Sequence, residues 1–224
     1  MKKIFEDRAK KNSAPIHWAE NEFNLESFYC EDGYAFTVCE DSIKTYNPIP
    51  CALEGTYQKE NAGTVLSLIE TLREIGYIIN DNSVYQGFKN VVTNTDLRGR
   101  WEKISENPRI ICDTGHNEAG FRFVTKQLAQ TPHETLHFVI GMVSDKDVNS
   151  VLRLLPKDAI YYYTKAQIPR ALDEKILAEF ANGYGLKGST YPTVALAMEA
   201  AKKNCRPNDL IFVGGSNFIV AEVI

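Results

Sequence analysis

The hydrophobic rhythm of the chain changes near residue 98. Beyond it, four apolar runs of strand length recur: "RIICD", "LHFVIG", "AIYYYT" and "DLIFVGG". Helical stretches lie between and around them at 118–129, 147–155, 172–182 and 193–204. Strands alternating with helices at this spacing predict βαβ units on a parallel sheet. The first 97 residues are less regular. "MKKIFEDRAKKN" reads as an amphipathic helix with Ile4, Phe5 and Ala9 near one face, and "APIHWA" as a short strand. "SFYCEDGYAFTVCED" reads as a hairpin around an Asp32-Gly33 turn. "NAGTVLSLIETLREIG" sets Val65, Leu66, Ile69, Leu72 and Ile75 at a helical period closed by Gly76. "DNSVYQGFKNV" reads as a shorter helix with a polar cap. No repeat or low-complexity linker interrupts the chain.

Composition narrows the class. The chain has 224 residues, 44% hydrophobic and 24% charged, with a formal charge of −4. That is an ordinary globular balance, with no basic excess for nucleic acid and no apolar run long enough to span a membrane. The N-terminus is too acidic and too poor in apolar residues for a signal peptide, so a cytoplasmic protein is expected. Five cysteines, at 30, 39, 51, 112 and 205, form no C-x-x-C pair. They read as free, mostly buried thiols in a reducing compartment, not as a zinc centre.

The parallel sheet directs attention to its loops. In open sheets of this kind, ligands bind outside the carboxyl ends of the strands, where loops meet helix N-termini. Three loops carry polar residues in that place: "DTGHNEAG" after strand 109–112, "GMVSDKD" after 136–140 and "GGSN" after 210–213. Each alone is what a helix N-cap requires. Three on one edge predict a ligand site.

Five stretches occur in order: "EGTYQKENAG", "LRGRWEKI", "ICDTGHNEAGF", "GMVSDKDV" and "FVGGSNFIVAEV". This series resembles the folylpolyglutamate synthase and dihydrofolate synthase family of the Mur ligase superfamily, whose members look like G-x-x-Q-x-x-N, G-R-x-E, D-G-A-H-N-P, G-x-x-x-D-K-D and a closing G-S. The chain departs from that pattern at Thr114 and Gly115, where the family often has Gly-Ala, at Glu118 in place of Pro, and at Trp101 before Glu102.

The resemblance implies an α/β fold. A Rossmann-like, mostly parallel C-terminal domain over 98–224, the glutamate ligase domain, would follow an incomplete tail of the Mur-type ATPase domain over 1–97. It implies ATP and magnesium chemistry in which a folate or dihydropteroate carboxylate becomes an acyl phosphate and L-glutamate's amine attacks it. By resemblance, Asn61, Arg100 and Asp113 would contact ATP, with Gln58 three residues before Asn61. His116 would sit beside the reacting phosphate, and Lys146 and Ser216 would be weaker candidates for positioning substrate.

Plainer explanations exist for each. Asn61 could cap a helix beginning near Ala62, Arg100 could pair with a surface acid, and Asp113 could be only a cap. His116 could be a hydrogen-bonded structural histidine, and Lys146 between two acids an exposed turn. His17, His133 and His137 have no partner at a readable spacing. "YYY" at 161–163 and the Phe/Tyr hairpin near 28–36 read as core and sheet residues.

No G-x-x-x-x-G-K-[ST] phosphate loop occurs in the chain. The expectation is therefore roughly the second half of such an enzyme, with the magnesium ligands upstream, negligible activity alone, and self-association through an uncovered first half. A Mur-type amino-acid ligase of cell-wall synthesis and a non-catalytic binding module are the alternatives. A plain dinucleotide-binding fold is not supported, because the G-x-G-x-x-G spacing and its ribose-binding acid are missing.

Overall fold

The computed structural model describes residues 2–30 and 33–224. They form two compact units, one of residues up to Ala52 with Tyr57–Thr95, the other of Leu53–Thr56 with Asp96–Ile224.

In the first unit, helices α1 (Lys2–Lys11) and α2 (Ala19–Glu22) precede strands β1 (Leu25–Cys30), β2 (Gly33–Val38) and β3 (Ile49–Cys51). The three strands make an antiparallel sheet in the order β1-β2-β3. Helices α3 (Gln58–Glu74), α4 (Asp81–Lys89) and α5 (Val91–Thr95) follow. The hairpin is present, with Cys30 paired to Gly33, while Asp32 of the expected turn lies outside the described residues.

Three expectations need correction here. "APIHWA" is not a strand but an extended lead into α2. Pro15 has no N–H to give a ladder, and half-exposed Ile16 has no buried face to fill. Helix α3 begins earlier than its apolar pattern and turns a different face inward. It buries Gln58, Ala62, Gly63, Leu66 and Ser67, while Val65 and Ile75 are exposed. Gly63 faces β1, where a Cβ would make ordinary contact with Leu25 and the Phe23 carbonyl at 3.5 Å. The hairpin is not all core either: Tyr34 and Phe36 are buried, but Tyr29 is exposed. The apolar face of α1 likewise has no cover among the described residues, with Ile4 and Phe5 at 70% and 58% exposure. A polar network closes this unit. Arg73 donates to Glu70 at 2.6 Å, to Asp81 at 2.9 Å and to the Ile79 carbonyl at 2.7 Å, tying the end of α3 to the start of α4.

The second unit is a three-layer α/β domain. Strands β4 (Glu102–Glu106), β5 (Arg109–Cys112), β6 (Leu136–Ile140), β7 (Ile160–Tyr163), β8 (Lys187–Thr190) and β9 (Leu210–Gly214) lie in the order β4-β5-β9-β6-β7-β8. All neighbours are parallel except β4 against β5. Helices α6 (Glu118–Gln130), α7 (Val148–Leu152) and α8 (Glu174–Asn182) cover one face. Helices α9 (Val194–Asn204) and α10 (Asn217–Ala221) cover the other. Alternation along β7 divides "YYY" between the two cores: Tyr161 and Tyr163 stack at 5.6 Å on the first face, and Tyr162 enters the second.

The four expected strands and the four helical stretches are present, though α7 is shorter than expected. The edge strands β4 and β8 carried no apolar signal. β8 is exposed throughout, and Gly188 is required because a Cβ would stand 2.0 Å from the Tyr161 carbonyl oxygen. The cysteines are free but not mostly buried: Cys51 and Cys112 are buried, Cys39 and Cys205 half-buried, and Cys30 exposed. No described helix is long and apolar enough to cross a membrane.

Candidate functional site

The last strand of the domain decides where the site lies. β9 inserts between β5 and β6, so the three Gly-rich loops that follow these strands become neighbours at one edge. Their backbones touch. Asp113 N–H donates to the Val213 carbonyl at 3.1 Å, and Gly141 N–H to the Gly214 carbonyl at 3.4 Å. Gly215 has φ +96°, and a Cβ there would stand 2.6 Å from the Gly141 carbonyl oxygen. Only glycine combines that backbone conformation with that approach.

The segment before β4 is strapped onto the first of these loops. Trp101 N–H donates to Asp113 Oδ2 at 2.8 Å, and Gly115 N–H to Asp113 Oδ1 at 2.7 Å. Thr114 N–H returns to the Gly99 carbonyl at 2.9 Å, and Arg100 donates to Thr114 Oγ1. Thr114, a departure from the family pattern, thus supplies the hydroxyl that holds Arg100. Trp101, another departure, takes a left-handed φ of 49° and buries its ring 5.8 Å from Phe212. Glu102 accepts from Gly99 N–H at 2.7 Å and from Arg98 Nε at 2.6 Å. Burial pulls its pKa upward, but these two donors outweigh that and hold it below the usual carboxylate range. Beneath the loop, burial and the Glu102 and Asp113 charges push the Cys112 thiol up to about 12.

The expected residues can now be placed. Asp113 is buried and spends both carboxylate oxygens on backbone donors, but it is not a helix cap. The cap of α6 is Asn117, whose Oδ1 accepts from Gly120 N–H at 2.8 Å. His116 is half-buried, with Nδ1 3.2 Å from the Thr114 carbonyl. A carbonyl only accepts, so Nδ1 is the donor in this contact. Ser216 is buried and caps α10, its Oγ accepting from Phe218 N–H at 3.2 Å. Lys146 is exposed between Asp145 and Asp147, and Asp147 caps α7. Arg100, Asp113, His116 and Ser216 therefore belong to one edge of the sheet, with Lys146 on the exposed loop after β6. Asn61 lies in the other unit. It is inside the first turn of α3, donating to Gln58 Oε1 at 2.7 Å, so the capping explanation fails because the helix begins at Gln58.

Sequence reasoning missed a fourth loop, 164–173. Its backbone holds the "GMVSDKD" loop: Ser144 N–H donates to the Arg170 carbonyl at 3.0 Å and Leu172 N–H to the Met142 carbonyl at 2.9 Å. Arg170 lies 4.9 Å over the Phe218 ring and 3.5 Å from Asp145, bridging two candidate loops. Lys165 is held between Asp173 at 2.8 Å and Glu174 at 2.7 Å. No periodic pattern marks this loop; only its place after β7 could have flagged it.

This edge offers anchored cations and backbone donors in the geometry suited to an anionic ligand. Among the described residues, the one group of three ligand-type side chains that could hold a metal lies elsewhere.

Comparison with known proteins gives a consistent set. Residues 99–217 match the family described as Mur ligase, glutamate ligase domain. A probable bifunctional folylpolyglutamate synthase/dihydropteroate synthase of Haloferax volcanii is 32% identical over 171 residues, covering 76% of this chain and 20% of its own. The dihydrofolate synthase/folylpolyglutamate synthase of Escherichia coli is 31% identical over 168 residues, covering 73% of this chain and 37% of its own. The structure of E. coli FolC in complex with ADP, without folate substrate, superposes with a TM-score of 0.76 at 27% identity, over 97% of this chain and 49% of that one. Mycobacterium tuberculosis folylpolyglutamate synthase complexed with ADP and AMPPCP shares the fold, with a TM-score of 0.84 at 23% identity, over 98% of this chain and 50% of that one. The chain thus spans half or less of the length of these relatives.

Proposed function

The chain belongs to the Mur ligase family through its glutamate ligase domain, and on that premise we propose that it serves ATP-dependent ligation of L-glutamate to folate or dihydropteroate. The observation that carries this reading is the strap between Arg100–Trp101 and Asp113–Gly115 at the carboxyl edge of the sheet. It fixes a cation and a histidine beside three converging Gly-rich loops, where a phosphate needs them. The named activities of the relatives support the substrate class.

In this reading Arg100 faces the nucleotide phosphates, and Asp113 holds the loop that presents it. His116 sits near the reacting phosphate, either donating a hydrogen bond to it or orienting the acyl phosphate. Asn61 is assigned to the nucleotide by resemblance alone. Lys146 and Ser216 position substrate, Ser216 through the hydroxyl proton that its capping bond leaves available. ATP, when bound, supplies the phosphoryl group that activates the acceptor carboxylate as an acyl phosphate. The residues fit the nucleotide in part: they supply a cation and backbone donors but no phosphate loop, and no carboxylate cluster for Mg²⁺ stands at this edge among the described residues. In this reading a Mur-type ATPase half supplies the phosphate loop and the magnesium ligands.

The test is titration calorimetry with Mg-ATP and an assay of glutamyl amide formation from dihydropteroate and from folate. The chain is assayed alone and with an added polypeptide supplying that half. Little binding and no turnover alone, with amide formed in the mixture and lost in Arg100→Ala, is the expected result. Micromolar Mg-ATP binding by the chain alone, or no amide formation under either condition, sinks the proposal.

A further inference from the structure

Three ligand-type side chains meet at the other end of the six-stranded sheet. His137 is the second residue of β6, Asp209 immediately precedes β9, and Cys205 ends α9. β6 and β9 are parallel neighbours with Leu136 opposite Leu210, so their starts lie side by side. The short turn after α9 brings Cys205 to the same point. One ligand atom from each residue lies within 4.8 Å of the others. His137 Nε2 and Asp209 Oδ2 are 3.2 Å apart, close to the edge of a tetrahedron whose metal–ligand bonds are about 2 Å. His137 and Asp209 are buried, and half-buried Cys205 marks the way in from solvent.

The surroundings match what metal ligands require. His137 Nδ1 lies 2.9 Å from the Tyr162 hydroxyl, which Asn204 Nδ2 also approaches at 3.1 Å. Asp209 accepts N–H bonds from Thr135 at 3.0 Å and Arg206 at 2.8 Å. Such outer partners orient a ligating imidazole and carboxylate. Burial opposes the Asp209 charge, but the Arg206 amide, His137 and Thr135 outweigh it and hold the carboxyl below its usual range. Burial and the Asp209 charge push the Cys205 thiol up.

We propose that His137, Cys205 and Asp209 form a site for one zinc ion, with water in the fourth position. A thiolate, an imidazole and a carboxylate suit zinc far better than magnesium or calcium. On binding, the thiol proton passes to solvent, and His137 gives up the Nε2 hydrogen that faces Asp209 in the metal-free chain, leaving its one ring hydrogen on Nδ1, donated to the Tyr162 oxygen. The ion would pin the turn between α9 and β9 to the start of β6. The site stands apart from the ligand-binding edge and does not depend on the function proposed above.

The test uses the reduced, chelator-stripped full chain, titrated with Zn²⁺ alone and with Co²⁺ alone. One equivalent of Zn²⁺ should bind and raise the melting temperature. Co²⁺ should give the near-ultraviolet thiolate-to-cobalt absorption of a cysteine-ligated site. Cys205→Ser, a near-isosteric change at a half-buried position, should abolish that absorption and weaken Zn²⁺ binding at least tenfold. Cys39→Ser, the control, should leave both unchanged. Absence of the cobalt band in the wild-type chain, or Zn²⁺ binding that survives Cys205→Ser undiminished, overturns the proposal. His137 and Asp209 would then form a metal-free hydrogen-bonded network.

Discussion

The amide of Trp101 and the carboxylate of Asp113 are 2.8 Å apart, and this bond joins the segment before β4 to the loop after β5. The other carboxylate oxygen accepts from Gly115 N–H at 2.7 Å. Removing the side chain leaves buried donors without a partner, each costing about 1–3 kcal/mol. Asp113→Ala is therefore expected to destabilise the chain by roughly 2–4 kcal/mol by the same reasoning, and Asp113→Asn by less, since one amide oxygen remains to accept. Urea unfolding of both variants measures this. Equal, near-zero losses would mean the strap holds nothing.

Gly215 admits no side chain. Its φ of +96° and the 2.6 Å gap to the Gly141 carbonyl oxygen set strain and collision together. Gly215→Ala should cost at least about 1–3 kcal/mol from backbone strain alone, read as a lowered melting temperature. Gly87→Ala, where a Cβ meets nothing within 4 Å, is the contrast and should be neutral or mildly stabilising.

The pH dependence follows from Glu102. Its folded-state pKa lies below the ordinary carboxylate value, through Arg98 and the Gly99 amide acting against burial. As pH falls below about 4.3, the unfolded chain takes up the proton first, so stability present at neutral pH is lost. Unfolding midpoints at pH 7 and pH 3 should differ more in the wild type than in Glu102→Gln. The variant should be the weaker of the two at pH 7 and approach the wild type at pH 3. A gap as large at pH 3 as at pH 7 would reject this account.

Cysteine reactivity should follow burial rather than sequence position. Thiolates are the reacting species, and Cys112 is buried with its thiol pushed up to about 12. Alkylation of the native chain at pH 8, followed by mass spectrometry, should label Cys30 first. Cys51 and Cys112 should react only when the chain is unfolded. Early labelling of Cys112 would show that β5 opens in the native state.

Much of the second unit was legible because its central strands are buried on both faces. "RIICD", "LHFVIG", "AIYYYT" and "DLIFVGG" are near-continuous apolar runs, which is what a parallel strand between two helical layers must be. Edge strands face no such demand, so "KGST" of β8 is a strand only because it pairs with Ile160–Tyr163. In the first unit, the apolar period of α3 located a helix but not its inward face. Leu68 and Val65 are exposed while Gln58, Ala62, Gly63, Leu66 and Ser67 are buried, so the inward face mixes polar, small and apolar residues that no apolar period picks out.

The chain by itself determined the α/β alternation, the polar loops after β5, β6 and β9, and the set of side chains those loops carry. These depend on local period and turn chemistry, which neighbouring residues settle among themselves. Only the tertiary structure decided that β9 enters between β5 and β6, that Trp101 reaches back to Asp113, and that His137 meets Asp209 72 residues away. Such pairings arise from burying two sheet faces at once, a constraint on the whole domain that no window of sequence contains.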